Sequence, residues 1–146
     1  MQNNRTIGSE YEDIIVNYIK EKGYEILVTN YRCKQGEIDI VAKDGKYLVF
    51  IEVKYRKSSK TGVPIEAVTL SKQKIISRVA LYYLYDKHLS IDTPIRFDVA
   101  GVLDKEITYI ENAFTYTMWT IDLQTKCLDT EHLILVQIYN RYFVCK

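Results

Sequence analysis

EIDIVAKDGKYLVFIEVKY, residues 37–55, is the stretch of sequence that decides the fold. Residues 37–43 and 47–55 are rich in β-branched and aromatic side chains, which is typical of strands. Asp44-Gly45 joins them, and an Asp-Gly pair between two such runs is the strongest short-range signal of a β-hairpin. The sequence therefore predicts an antiparallel hairpin here.

The two strands of this hairpin divide their side chains between a charged and an apolar face. Side chains alternate along a strand, so Glu52 and Lys54 project together. The apolar residues of their strand are predicted on the opposite face: Val49, Ile51 and Val53. The acids of the partner strand share a face with Val41: Glu37 and Asp39. The remaining apolar residues of that strand are predicted on the other face: Ile38, Ile40 and Ala42.

The length of the turn decides which acids meet. A two-residue Asp44-Gly45 turn sets Glu37 opposite Glu52, whereas a four-residue loop sets Asp39 opposite Glu52. Either pairing brings acids and Lys54 together, while a three-residue loop would separate them. Both favourable pairings remain open at this point.

Hydrophobic periodicity and turn residues predict the other elements. They are helices over residues 9–22 and 71–87, and strands over residues 24–31, 95–103 and 107–110. Ser9 is the predicted N-cap of the first helix, and Ser71 or Thr69 that of the second. Loops are predicted at residues 32–36 and around Gly62 and Pro64. This order of elements indicates an α/β or α+β protein. Residues 1–115 are predicted to form the domain, followed by an extension, 116–146, whose pattern fixes no structure.

Composition narrows the function classes. The 146 residues carry a net charge of +1, with 47% hydrophobic and 27% charged residues, which is ordinary for a soluble globular domain. No apolar run is long enough to span a membrane and no signal core follows Met1, so a cytoplasmic location is expected. The three cysteines are not closely spaced, which favours reduced thiols.

Residues 54–78 form a basic stretch with seven Lys or Arg residues and one acid, Glu66. Such a stretch is either a nucleic-acid-binding patch or a solvated surface.

The charged face of the hairpin predicts a metal site. Clustered carboxylates repel each other unless a cation neutralises them. Mg²⁺ (or Mn²⁺) binds hard oxygen ligands, here Asp39, Glu52 and the carbonyl of Val53. Such an ion can polarise a phosphodiester and activate water, with Lys54 orienting the water or stabilising charge on phosphorus. The alternative from spacing alone is a salt-bridge pair on an edge hairpin.

Two resemblances bear on this choice. Asp39, followed after twelve residues by Glu52-Val53-Lys54, resembles the PD-(D/E)XK nuclease signature. A longer stretch, residues 8–114, resembles the YraN-like family of bacterial proteins. The blocks that carry this likeness are Gly36-Glu37-Ile38-Asp39, residues 49–56, residues 62–68, Lys72-Gln73, residues 96–99 and residues 111–114.

The resemblance implies a restriction-endonuclease-like α/β core: a central mixed β-sheet flanked by helices. It implies that Glu12 is the first-helix glutamate that reaches the metal, directly or through water, and that Gln73 borders the active site. Tyr11 departs from the family pattern, which usually has glycine there; it either crowds the site or packs. The layout also resembles archaeal Holliday-junction resolvases, which implies branched DNA as substrate and a homodimer.

The expected function is Mg²⁺-dependent endonuclease cleavage of DNA, a hydrolysis of ester bonds. Asp39 and Glu52 hold the metal, Glu12 assists and Lys54 positions the attacking water. Arg56, Lys57 and Lys60 are expected to contact phosphates, and Tyr55 to stack on a base. The alternatives are a non-catalytic nucleic-acid-binding protein that retains the nuclease fold, and a structural interaction module that uses the tyrosine-rich second helix.

Overall fold

The computed structural model describes residues 4–56, 68–103 and 106–116. Seven elements follow in chain order: α1 (Asn4–Glu21), β1 (Glu25–Cys33), β2 (Gly36–Asp44), β3 (Tyr47–Arg56), α2 (Leu70–Asp86), β4 (Ile95–Leu103) and β5 (Glu106–Phe114). The predicted Gly62–Pro64 loop and all of the extension beyond residue 116 lie outside the described residues.

The five strands form one mixed sheet in the order β1-β2-β3-β4-β5. β3 and β4 run parallel and are connected through α2, whereas all other neighbours are antiparallel. A parallel pair needs a long crossover, commonly a helix, which explains the position of α2 in the chain. The α/β class with a mixed central sheet is thereby confirmed.

The helices cover opposite faces of this sheet. α1 packs Ile15 and Ile19 against one face of β2, β3 and β4, at Ile40, Ile51 and Ala100. On the other face, α2 packs against a second apolar cluster built around Val41, Phe50, Phe97 and Val99. All of these side chains are essentially buried. Each strand contributes alternate apolar side chains to the two clusters, as expected for a sheet covered on both faces.

The predicted β2–β3 hairpin is present, with a turn that neither alternative described fully. The loop has two residues, but they are Gly45 and Lys46, because Asp44 pairs with Tyr47. Gly45 has a φ of 54°, a conformation that tight hairpin turns need and that glycine adopts without strain. The pairing continues to Ile40 with Ile51. One step further along this register, Asp39 faces Glu52, as predicted for the longer loop.

One predicted face assignment is wrong. Ile38 packs in the α2 cluster with Val41, not on the opposite face with Ile40. The change of face lies between Ile38 and Ile40, which pair with Tyr31 and Thr29 on either side of Asn30. Asn30 has a φ of 54°, and a left-handed residue turns the strand locally.

Several predicted element boundaries also needed correction. α1 begins at Asn4, so Ser9 lies inside the helix and is not its N-cap. Thr69 is the N-cap of α2, and its hydroxyl accepts a hydrogen bond from Lys72 N at 3.3 Å. The predicted loop over residues 32–36 is a tight turn at Lys34 and Gln35, because Cys33 pairs with Gly36. β5 extends to Phe114, beyond the predicted end.

A polar network centred on Asp98 of β4 includes Tyr109, which packs against the apolar cluster on the α1 side of the sheet. Asp98 is completely buried and accepts hydrogen bonds from Arg96 Nε at 2.9 Å, Tyr109 OH at 2.8 Å and Asn112 N at 2.9 Å. Arg96 also reaches Asp44 at 2.8 Å, so β2, β4 and β5 are tied together. A buried carboxylate satisfied in this way stabilises the packing of the strands.

Among the described residues, neither helix combines the length and the apolar character that crossing a bilayer requires.

Candidate metal centre

The candidate site lies where β2 and β3 separate. The main-chain pairing of these strands runs from the turn to Ile40 and Ile51. Just beyond it, Oδ2 of Asp39 accepts a hydrogen bond of 2.7 Å from Val53 N. A side-chain carboxylate therefore takes the place of a ladder carbonyl, and it brings Asp39 next to the strand that carries Glu52 and Lys54.

Glu52 is the most deeply buried acid of the site, with 2% of its side chain exposed. Its Oε1 accepts hydrogen bonds from two ammonium groups, Nζ of Lys54 and Nζ of Lys72, the latter at 3.1 Å. Its Oε2 is buried and has no hydrogen-bond partner. Burying a carboxylate oxygen without a partner is costly. The second oxygen of Glu52 is therefore available to a further cation.

The environment of Asp39 raises its pKa to about 7. Burial is the largest cause, and the negative charge of Glu52 follows. The hydrogen bond from Val53 and the positive charge of Lys72 act in the opposite direction. Two acids that share a poorly solvated site cannot both ionise easily. Burial and the charge of Glu52 therefore disfavour the ionised form of Asp39.

Glu12 of α1 acts on the site through Asn30 and through its charge. Its Oε2 accepts a hydrogen bond of 2.6 Å from Nδ2 of Asn30, and its charge adds to the rise in the pKa of Asp39. Within the described ranges, no three His, Cys, Asp or Glu side chains converge closely enough to hold one metal ion. The described acids that act most directly on one another are Asp39 and Glu52, since the charge of Glu52 contributes to the raised pKa of Asp39 and Val53 N donates to Asp39 beside Glu52.

These donors fit a hard divalent cation. Carboxylate and carbonyl oxygens are the ligands of Mg²⁺ and Mn²⁺, and Mg²⁺ usually takes only one or two carboxylates from a protein, the rest being water and phosphate oxygens. Such an ion would give the buried Oε2 of Glu52 the partner that it lacks among the described residues.

Gln73 and Tyr55 were predicted at the site, and both have partners within the chain. The side-chain amide of Gln73 donates to the carbonyl of Val68 at 3.0 Å, at the start of α2. The ring of Tyr55 is stacked on that of Tyr11, with centroids 3.8 Å apart and planes inclined by 14°. Tyr11 therefore packs, and one face of Tyr55 is already covered. The side chain of Arg56 and all of Lys57 and Lys60 lie outside the described residues.

Sequence reasoning missed Lys72 and Asn30 as members of the site. Lys72 was recognised only as part of a basic cluster and of a family block, although it directly precedes Gln73 in the sequence and lies in the first turn of α2. Asn30 had one usable signal, because asparagine tolerates left-handed backbone better than most residues. Without the pairing of β1 with β2, that signal points to no particular partner.

The sheet has five strands in mixed orientation, and one helix covers each face. This arrangement is consistent with a restriction-endonuclease-like α/β core. Residues 11–102 match the model of the "Uncharacterised protein family UPF0102". The chain belongs to this family, which is the YraN-like family that the sequence motifs indicated.

Individual relatives agree over nearly their whole length. A UPF0102 protein of Lachnoclostridium phytofermentans is 50% identical over 112 residues, 77% of this chain and 95% of the relative. A UPF0102 protein of Clostridioides difficile is 48% identical over 114 residues, 77% of this chain and 99% of the relative. One of Thermodesulfovibrio yellowstonii is 47% identical over 108 residues, 74% and 95% of the two chains. The rest of this chain lies outside each match.

Proposed function

We propose that this chain is a metal-dependent endonuclease that hydrolyses phosphodiester bonds of DNA. The observation that supports this most is the environment of the Glu52 carboxylate, which is buried. Its Oε1 contacts the ammonium groups of Lys54 and Lys72, and its Oε2 has no hydrogen-bond partner in the described part of the chain. An ordinary surface salt bridge would not require a buried carboxylate with one oxygen lacking a hydrogen-bond partner. The likeness of Asp39, Glu52 and Lys54 to the PD-(D/E)XK signature gives the reaction class.

In this proposal Asp39, Glu52 and the carbonyl of Val53 hold Mg²⁺ or Mn²⁺, and Glu12 acts from the border of the site through water. The bound ion supplies Lewis acidity toward the phosphate and lowers the pKa of water. Asp39 must lose its proton to act as a ligand, so the ion and the proton compete.

Lys54 orients the attacking water and stabilises the charge that develops on the phosphoryl oxygens. Its ammonium group is already held by Glu52, so its position is fixed before substrate arrives. Preorganised charge of this kind is the largest catalytic contribution in many enzymes, because no reorganisation is needed during the reaction. Gln73 borders the site from α2.

DNA is the proposed substrate because the sequence has basic residues at and just beyond the end of β3, Arg56, Lys57 and Lys60, for phosphates, and the exposed part of Tyr55 for a base. Branched or repair intermediates, and action as a homodimer, are the finer proposals that the likeness to junction resolvases supports.

Cleavage assays with matched variants test the proposal. Branched, nicked and single-stranded DNA are incubated with Mg²⁺ or Mn²⁺ and with wild type, Asp39→Asn, Glu52→Gln or Glu37→Gln. Glu37 is the control, since it is an exposed acid on the same strand, paired with Arg32 at 3.2 Å. Cleavage by wild type and Glu37→Gln alone supports the proposal. Equal cleavage by wild type and Glu52→Gln contradicts it. DNA binding without any cleavage by the wild type favours a non-catalytic binding protein.

A further inference from the structure

Lys72 joins the second helix to the acid at the centre of the site. Its Nζ lies 3.1 Å from Glu52 Oε1, and only 26% of its side chain is exposed. Lys54 bonds the same oxygen from β3. The proposed hydrolysis requires one lysine beside the acid, so the second ammonium group on one carboxylate oxygen needs its own explanation.

Two ammonium groups meet one carboxylate oxygen at the centre of the site. Lys54 and Lys72 both contact Oε1 of Glu52, while Asp39 and Glu12 are the other acids that interact there. Lys72 acts on both acids, since it contacts Glu52 and its field favours the ionised form of Asp39. A divalent cation that takes the carboxylate of Glu52 would leave the ammonium group of Lys72 without its present partner, and a phosphodiester anion could then offset that positive charge.

We propose that Lys72 is an internal counter-ion of the site: it neutralises Glu52 while no metal is bound, and it turns to the phosphate of the substrate when a divalent cation takes the carboxylate. This inference rests on the proposed nuclease function. Lys72 is suited to both positions because its long, flexible side chain carries a compact charge with three donors.

The start of α2 supports the second position. Lys72 lies in the first turn of a 17-residue helix that has no acidic residue in that turn. The main-chain N–H groups at a helix N-terminus favour anions. A phosphate held near Lys72 would therefore meet no acidic side chain in that turn of the helix.

The proposal predicts opposite effects of one substitution on metal and on DNA. Lys72→Gln removes a competitor for Glu52, so the affinity for Mn²⁺ should increase about five- to tenfold. Titration calorimetry at about pH 8.5, where Asp39 is ionised, measures this affinity without any turnover. Lys74→Gln is the matched control, with the same charge change two residues further along the helix, and it should remain within about twofold of wild type.

DNA affinity provides the second measurement. With Ca²⁺ in place of Mg²⁺ to limit cleavage, Lys72→Gln should bind DNA more weakly than wild type. The slope of log affinity against log salt should fall by about one, the value for one lost phosphate contact. Lys72→Ala should behave in the same way, and circular dichroism of both variants verifies that they are folded.

The outcomes separate the inference from the function on which it rests. Unchanged or weaker Mn²⁺ binding by folded Lys72→Gln and Lys72→Ala overturns the counter-ion role and leaves the nuclease proposal standing. Tighter Mn²⁺ binding with an unchanged DNA salt slope overturns the phosphate contact. Failure of the wild type to bind Mn²⁺ at all overturns both.

Discussion

The N–H of Val53 donates a hydrogen bond of 2.7 Å to Oδ2 of Asp39. This contact fixes the aspartate of β2 to the strand that carries Glu52, at the point where the two strands part. It also explains how an acid with a raised pKa is tolerated, because the bond favours the charged form that burial opposes. The two acids therefore stay together even though their charges repel.

Asp39 should make the metal-free protein less stable as pH rises. Its pKa is about 7 in the folded chain and near the ordinary 3.8 in the unfolded chain. Between these values the folded state binds more protons than the unfolded state, so the free energy of unfolding falls with pH. We expect a loss of up to about 4 kcal/mol between about pH 4 and 8, with little further change above. Urea unfolding with a chelator present measures it.

Asp39→Asn is the control for this pH dependence. Asparagine keeps an oxygen that can accept from Val53 N but has no proton to lose, so the variant should lose most of the slope and exceed the wild type in stability at pH 8. The same slope in both proteins would show that another group titrates.

Asn30 should act on the site through Glu12. Asn30→Ala removes the 2.6 Å hydrogen bond to Glu12. It also places alanine, which tolerates left-handed backbone less well than asparagine does, at a φ of 54°. We expect a loss of about 1 kcal/mol in the free energy of unfolding, together with weaker Mn²⁺ binding. Urea unfolding and calorimetry measure the two effects.

Asn30→Gly separates the two contributions. Glycine adopts the left-handed conformation readily, so stability should remain closer to that of wild type, while the contact with Glu12 is lost as in alanine. If both variants bind Mn²⁺ as wild type does, Asn30 serves only the backbone.

Local sequence patterns predicted the hairpin, both helices and the shared location of Asp39, Glu52 and Lys54. These features depend on neighbouring residues, through strand alternation, turn chemistry and helical period. Of the two alternative turns, the longer loop predicted the observed register, but Asp44 and Tyr47 also pair, and an Asp-Gly pair alone does not fix which residue is the last to pair.

Lys72 and Ile38 show what local patterns could not predict. The contact of Lys72 with Glu52 depends on how α2 crosses the sheet, which no spacing within the helix specifies. Ile38 packs on the same face as Val41, and its partner Tyr31 in β1 is known only from the three-dimensional pairing of the strands. The irregular backbone at Asn30 lies beside the acids of the candidate site.

Gly36 should tolerate no side chain. It has a φ of 141°, and a Cβ there would lie 2.6 Å from Cγ2 of Ile75 on α2. Gly36→Ala should reduce the free energy of unfolding by about 2 kcal/mol through strain and crowding. Urea unfolding measures it, and Ile75→Ala in the same chain should recover part of the loss. Absence of any recovery would assign the effect to the backbone alone.

Arg96→Lys should destabilise the chain much more than the same exchange at the surface. Arg96 donates from Nε and Nη2 to the buried Asp98 and from Nη1 to Asp44, and a lysine ammonium cannot span both acids. Leaving part of a buried carboxylate unpaired should cost about 2–3 kcal/mol. Arg32→Lys is the control, since Arg32 and Glu37 are 60% and 55% exposed and such pairs contribute below about 1 kcal/mol. Equal unfolding midpoints for the two variants in urea would mean that the Asp98 network contributes little, and that main-chain pairing and apolar packing hold β4 and β5 in place.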